Sequence, residues 1–468
     1  MATGTTDLMS PAVRLPHAPG RLPHAAGRWP DALRRSAPLL PAVAVVALLV
    51  LPSAPAGGGS AGSGTAADAA SALLVLHCLV RVLRERSRPL TRTAALVLGL
   101  PVLGVAVAAL TSHDTVSVLP GTARYLQIFV LVPAALLLLI RDRWDFRVVA
   151  GSVVVLALAQ GAVGVAQYLT GTGASYMGEQ VRAVGTFGAT DVMGMATAVS
   201  YGLVIAVGFA LGDGRDIRRA QRTVALLCAV LLFVPLVLSF SRGAWIATAV
   251  ALVLQLLASG ARRAVRIALA TGALGVVLVC GLGVGSQMVS QRLDSITQVA
   301  DAPDQSVTDR YTMWAAAAGM WRQEPVTGVG LKGFPAHRDS HASLALSAAS
   351  DTMGAGLAFQ RRPLLSPHNM YLLVLSEQGL LGIIGLAGSW AALLVLALRR
   401  LSGARRARAG SDCALAAAGL LVWQLVSFSY GDIGGPSTVL TAVMLGLAAW
   451  WALRPVRDLP DRDGTAAA

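Results

Sequence analysis

The 468-residue sequence is poor in charge, in lysine and in cysteine, and the shortages of charge and of cysteine each exclude something. Only 13% of residues are charged and 55% are hydrophobic, at a mean hydropathy of +0.64. A soluble protein of this length needs far more charge to cover its surface, so a soluble enzyme is excluded. Of the 38 basic residues only Lys332 is a lysine, a bias that speaks of a GC-rich genome rather than of a function. The four cysteines, Cys78, Cys228, Cys280 and Cys413, stand far apart, each in or beside an apolar run. No C-x-x-C pair exists, which argues against a disulfide framework or a zinc site and leaves them as small apolar helix residues. The formal charge of +14 would suit a nucleic-acid partner. The basic residues instead form short clusters between apolar runs, so no nucleic-acid surface is expected.

What is present is a series of apolar runs. A spanning helix needs roughly 20 mostly apolar residues, and in lipid its backbone must satisfy its own hydrogen bonds. The sequence predicts an all-α, polytopic membrane helical bundle of about twelve spans. They are placed at 37–51, 66–83, 93–110, 122–140, 147–169, 191–211, 222–238, 243–259, 264–285, 369–398, 412–430 and 436–453. Alternate loops then collect the arginines: Arg34 and Arg35, Arg84 to Arg92, Arg141 to Arg147, Arg215 to Arg222, Arg262 to Arg266, Arg399 to Arg408, and Arg454 onward. The short loops 52–65 and 111–121 between them have no lysine or arginine. By the positive-inside rule both termini are expected in the cytoplasm, in a cytoplasmic (inner) membrane. Ala54-Pro55-Ala56 also resembles a signal-peptide cleavage site, though the leader before it is long.

The expected organisation is a cytoplasmic segment 1–36, helices one to nine over 37–285, a large exterior loop 286–368, helices ten to twelve over 369–453, and a cytoplasmic tail 454–468. Inside the large loop, Asp309 to Arg322 reads as an amphipathic helix with Tyr311, Trp314, Ala318 and Trp321 on one face, stopped by Pro325. That face suits either the membrane interface or the bundle. Gly328-Val329-Gly330 reads as a turn leading to Phe334.

The chemistry is sought among ionisable residues at the exterior ends of spans, where charge is costly unless paired or wetted. Arg182 and Arg242 suit a lipid-linked pyrophosphate, because guanidinium groups grip phosphate through paired hydrogen bonds. They suit headgroup snorkelling, or pairing with an acid such as Glu179, equally well. Arg124 could play either part, and Arg310 is a further phosphate candidate. His368 can take a proton near pH 7 or merely bond locally. Glu377, on the helix face of Met370, could orient a base or stabilise the bundle. Asp432 is a candidate partner for an arginine. His337 and His341 are four apart but have no evident third ligand, so they read as a solvated loop and no metal is expected.

At these residues the chain resembles the O-antigen ligase and O-antigen polymerase superfamily of bacterial membrane proteins. The resemblance rests on Ser239-Phe240-Ser241-Arg242-Gly243-Ala244-Trp245, Arg310 with Trp314, Pro325 through Gly328-Val329-Gly330 to Phe334, and His368-Asn369-Met370-Tyr371-Leu372 with Glu377, Gly379-Leu380 and Gly382. It implies a GT-C-like architecture and a glycosyltransferase that moves a glycan from an undecaprenyl-pyrophosphate carrier to a hydroxyl of a lipid, protein or glycan acceptor, with no cofactor. It implies pyrophosphate binding by Arg182 and Arg242, with Arg310 beside them, and His368 as base, supported by Glu377, Tyr371 and Asn369. Family members often carry Pro-Asn after the Gly-Thr-Phe element, where this chain has Gly188-Ala189-Thr190-Asp191. A transporter or flippase for a lipid-linked or small anionic substrate is the competing reading. Charge-poor midspans count against it.

Overall fold

In lipid every apolar run has to close its own backbone bonds, and helices dominate the chain. The computed structural model describes residues 35–52, 65–85, 90–112, 115–173, 175–176, 182–212, 217–260, 262–266, 305–347, 350–353, 360–362 and 364–454. The elements below lie within Leu39–Ala468, one packed unit. They begin with α1 (Leu40–Leu48), α2 (Ala66–Glu85), α3 (Arg92–Leu110), α4 (Thr115–Leu126) and α5 (Val132–Leu139), the last two joined by a π turn over Gln127–Leu131. Then come α6 (Arg143–Thr170), α7 (Gly194–Leu211), α8 (Arg219–Leu238) and α9 (Arg242–Ser259). The large loop carries α10 (Gln305–Gln323) and α11 (Phe334–His341), and the chain returns through α12 (Met370–Ala407), α13 (Ser411–Ser427) and α14 (Thr438–Leu453).

Among the described residues eight helices are long and apolar enough to cross a membrane, where the sequence predicts about twelve spans in the whole chain. They are α2, α3, the joined α4–α5, α6, α7, α8, α9 and α12. Three further apolar helices, Ala37–Leu48, Ser411–Ser427 and Thr438–Leu453, are shorter. The expected span 264–285 lies almost wholly outside the described residues. Hydropathy alone does not separate a spanning helix from a buried one. Every residue of α14 is buried by neighbouring helices, so its apolar composition answers to protein as much as to lipid. By contrast α8 exposes Val224, Leu227, Val230, Leu231 and Val234 along its flank, as a lipid-facing helix should.

Long-range contacts gather the arginines on one face. Arg147 pairs with Asp412 at 2.7 Å, Arg222 and Arg263 bond the end of α7 at Gly212 and Leu211, and Arg400 bonds the Trp451 carbonyl. Arg454 caps α5 at the Ile140 carbonyl. The opposite face carries the starts of α7, α9, α12 and α14.

The chain is not purely helical. Ser175–Tyr176 (β1), Ser350–Met353 (β2) and Gln360–Arg362 (β3) form a small antiparallel sheet in the order β1-β2-β3. The pairing sets Ser175 opposite Met353 and Thr352 opposite Gln360, so it stitches the segment after α6 to the large loop. Strands this short show no two-residue periodicity to read. The helix expected at Asp309 to Arg322 exists as α10, but it buries Met313, Ala316, Ala317 and Met320 rather than the expected aromatic face. Tyr311 is 57% exposed. α10 packs on α12.

One departure from regular helix governs the site. At Gly379 α12 breaks (φ 62°, ψ −157°). The segment Pro325–Val329 fills the break: Leu380 N donates to Pro325 O at 2.9 Å, Leu381 N to Val326 O at 3.3 Å, and Val329 N to Ser376 O at 2.9 Å. Irregular backbone at membrane depth survives only where protein supplies such partners. A Cβ at Gly379 would overlap the Val326 carbonyl, and the positive φ is one that only glycine adopts without strain. Leu331 N donates to Ala108 O at 2.9 Å, so the same turn also fastens to the end of α3.

Candidate active site

The start of α12 is built on the α13–α14 connection, residues 428–437. Asn369 is the N-cap of α12: its side chain accepts from Leu372 N at 3.1 Å, and its Nδ2 donates to Ser429 O at 3.3 Å. Met370 N donates to Phe428 O and Gly431 O, at 2.9 and 3.1 Å. Tyr371 Oη donates to Leu425 O at 2.7 Å. Asn369 and Tyr371 therefore hold the helix start.

His368 stands one residue outside this cap with φ 49°, a left-handed conformation uncommon for a non-glycine residue. Such strain persists where surrounding bonds over-determine it. Its Nδ1 lies 4.0 Å from Asp432 Oδ2. The His368 side chain is 44% exposed and that of Asp432 11%, so one group is reachable and the other is sheltered behind it. The sequence offers Asp432 as a candidate partner for an arginine; in the fold its carboxylate stands at ion-pair distance from the imidazole. From the other side α10 closes in. Trp314 Nε1 donates to Pro367 O at 2.9 Å, fastening the residue before His368. Arg310, one turn earlier on α10, acts on the imidazole electrostatically. Removal from water holds the His368 pKa below its ordinary value of 6.5; Asp432 opposes this and Arg310 adds to it. The ring is thus mostly neutral at pH 7, able to accept a proton, with a carboxylate at hand to stabilise the imidazolium.

Arg242 is the first residue of α9, after the N-cap Ser241, whose side chain accepts from Ala244 N at 3.3 Å. Its neighbour Gly243 abuts Tyr430: a Cβ there would stand 3.2 Å from the Tyr430 ring. This sets the start of α9 against the loop that carries Asp432. Arg182 precedes Ala183, whose N–H donates to Leu238 O at 3.3 Å, so Arg182 sits beside the α8–α9 turn that bears Arg242. The strip after it is held by two glutamines of α6. Gln167 Oε1 accepts from Val184 N and Gly185 N at 3.1 and 2.9 Å, and Gln160 Oε1 accepts from Thr186 N at 2.9 Å. Gln160 and Gln167 were missed in the sequence, although two amides seven apart on an apolar helix mark one polar stripe. The Ala183–Leu238 bond thus sets Arg182 beside the turn that bears Arg242, while His368 has Asp432 at 4.0 Å and Arg310 within electrostatic reach. Tyr430, two residues before Asp432, packs on Gly243.

Glu377 does something else. It accepts Phe334 N at 3.3 Å and a backbone bond from Lys332, just before the break in α12. It anchors the inserted turn. His337 and His341 fall on α11, not in a loop, and each Nδ1 donates to a backbone carbonyl at 2.9 Å, Gly333 O and His337 O. Among the described residues no group of three or more histidines, cysteines or carboxylates could hold a metal.

Residues 227–387 match the family model described as O-antigen ligase. The match includes Arg242, Arg310, His368 and Glu377 and leaves out Arg182 and Asp432. No curated protein matches the chain. Over residues 227–387, about a third of its length, the chain is thus similar to the O-antigen ligase family.

Proposed function

We propose that this membrane enzyme, of the O-antigen ligase or polymerase type, moves a glycan from an undecaprenyl-pyrophosphate carrier to an acceptor hydroxyl at the exterior face of the cytoplasmic membrane. The observation that carries the proposal is the reachable His368, backed by Asp432 at 4.0 Å and flanked by Arg310, inside or beside the family-matching segment. In this reading the arginine-rich face is cytoplasmic and His368 opens to the exterior. His368 takes the proton of the acceptor hydroxyl as its oxygen attacks the anomeric carbon. The bond from that carbon to the pyrophosphate oxygen breaks, and the lipid pyrophosphate leaves with the electron pair. Arg182, Arg242 and Arg310 stabilise the charge that develops there. Attack opposite the leaving group inverts the anomeric centre. Asp432 favours the imidazolium formed in the transition state without taking the proton itself. The acceptor is a lipid, a protein or a second glycan chain.

A broken membrane helix such as α12 is also a transporter feature. Here the chain's own residues Pro325–Val329 occupy the break, which favours the enzyme over a transporter.

The test incubates the purified protein in lipid nanodiscs with an undecaprenyl-pyrophosphate glycan and candidate acceptors. Wild-type protein is expected to form product of inverted configuration. His368→Ala is expected to lose about 100- to 10,000-fold, the usual worth of a positioned base. Transfer at the wild-type rate by both His368→Ala and Arg242→Ala would overturn the site, and absence of product with every lipid-linked glycan would overturn the reaction.

A further inference from the structure

The loop that presents Asp432 is fastened at both ends, and the far fastening lies outside the family-matching segment. At the near end are the bonds from Asn369 and Met370 described above. At the far end Asp191 Oδ2 accepts Ser437 N at 2.8 Å. Gly435, at φ 70°, lies so close that a Cβ there would stand 2.6 Å from Asp191 Oδ2. The Gly435 carbonyl accepts from Arg124 Nη2 at 3.0 Å, across 311 residues of sequence.

Arg124 comes from the last turn of α4 and is itself braced. Its Nη1 pairs with Asp68 of α2 and donates to Gln127 Oε1 at 3.1 Å. Asp68 is held in turn by Gln127 Nε2 at 3.1 Å and by Thr65 N and Thr65 Oγ1, both at 2.8 Å. The Arg124 and Asp68 side chains are only 26% and 21% exposed. A half-buried cation in a membrane helix needs a partner, and Asp68 alone meets that need. The second arm to Gly435 is the unexplained part. The guanidinium fork splits its two amino groups between α2 and the loop, a division that a single ammonium cannot reproduce.

Asp191 belongs to the same arrangement. Burial raises its pKa, while the bonds from Ser437 and Gly194 and the charge of Arg124 work to keep it ionised. One guanidinium thus bonds the loop and adds a smaller attraction at the carboxylate, which Ser437 and Gly194 hold more strongly.

We propose that Arg124, braced by Asp68 and acting with Asp191 through Gly435 and Ser437, is a positioning residue that sets the separation of Asp432 from His368. The effect on rate rests on the transfer reaction proposed above; the effect on His368 itself does not. The charged groups that bear on His368 are Asp432 from the loop and Arg310 from α10, and only the first moves when the loop is released.

The experiment compares Arg124→Lys, Asp432→Asn and the double variant. Arg124→Lys keeps a cation for Asp68 but gives up the fork. Releasing Asp432 removes an attraction for the imidazolium, so the His368 pKa falls. The acid limb of the kcat/KM profile then moves to lower pH, in the same direction as for Asp432→Asn. The kcat is expected to drop about 10- to 100-fold, the cost of a misplacement near 1 Å, while the donor KM is unchanged. The double variant should be no worse than Asp432→Asn, because both act on one contact. Independently of transfer, modification of His368 by diethyl pyrocarbonate across pH, read by peptide mass spectrometry, should show the same downward displacement. If Arg124→Lys does not fold, Asp68→Asn with Arg124→Gln removes both charges and is read in the same way. A modification profile identical to wild type, or effects that add in the double variant, would overturn the proposal. A displaced profile in a protein that transfers nothing would uphold the positioning role and sink only the reaction.

Discussion

At the scale of single residues, the chemistry turns on whether a polar side chain finds backbone or finds another side chain. Asn369, Tyr371 and Glu377 all lie in motifs that suggest a reactive site, and all three spend their polar atoms on backbone groups. Asp432, read only as an arginine partner, faces the imidazole. The distinction was invisible in the sequence because Asp432 lies about 60 residues from His368 and meets it only through the packing of α12 on α13. An anchoring Glu377 makes a definite prediction. Glu377→Gln keeps an acceptor for Phe334 N and Lys332 N and should retain most activity and thermal stability. Glu377→Ala leaves buried N–H groups unpaired and should cost about 1–3 kcal/mol. Thermal unfolding in detergent, with transfer assayed alongside, checks both. A Gln variant that is fully folded and inactive would make Glu377 catalytic instead.

At the scale of elements, α12 is the organising piece. Its first turn carries the site, its break accepts the Pro325–Val329 turn, and its length lies along α3, where Gly104 and Gly382 meet with no room for a Cβ on either. Small residues at such crossings let membrane helices approach backbone to backbone. The apolar period located α12 correctly but not its break, since Gly379 reads like any other helical glycine. Gly379→Ala should therefore destabilise by more than about 1 kcal/mol, through both positive φ and overlap with Val326 O. Gly403→Ala, in the same helix with nothing within 4 Å of its Cβ, should be neutral or stabilising by up to about 1 kcal/mol. Unfolding midpoints of the two variants test the contrast. The same scale explains α10. Its aromatic stripe is conspicuous in the sequence, yet the helix buries the unbroken apolar Met313–Ala317–Met320 stripe, and Trp314 is left to reach Pro367.

At the scale of the whole molecule, two faces differ in charge. The arginines at the ends of α5, α7, α12 and α14 close one side through carbonyl bonds and the Arg147–Asp412 pair. The other side carries the large loop, the small sheet and the site. The proposed orientation predicts that a cysteine at the exposed Ser343 is labelled by a membrane-impermeant maleimide on intact spheroplasts. A cysteine at the exposed Ser402 should be labelled only after permeabilisation. The reverse pattern would invert the protein and move the chemistry to the cytoplasm. Cys78 and Cys413 are buried and Cys228 partly so, and the parent protein labelled in parallel gives the background.

The one-dimensional pattern of apolar runs and arginine clusters determined that the chain is a helical membrane protein, where most of its helices lie and which loops share a face. Those properties follow from the transfer of side chains between water and lipid, and that transfer is local to each segment. The tertiary structure alone decided that α12 breaks and is plugged, that α10 buries its Met313–Met320 face rather than its aromatic one, and that Asp432 and Arg310 flank His368. It likewise decided that Arg124 reaches a carbonyl 311 residues away. Each of these is a contact between distant segments. Its energy depends on geometry that no single stretch of sequence contains.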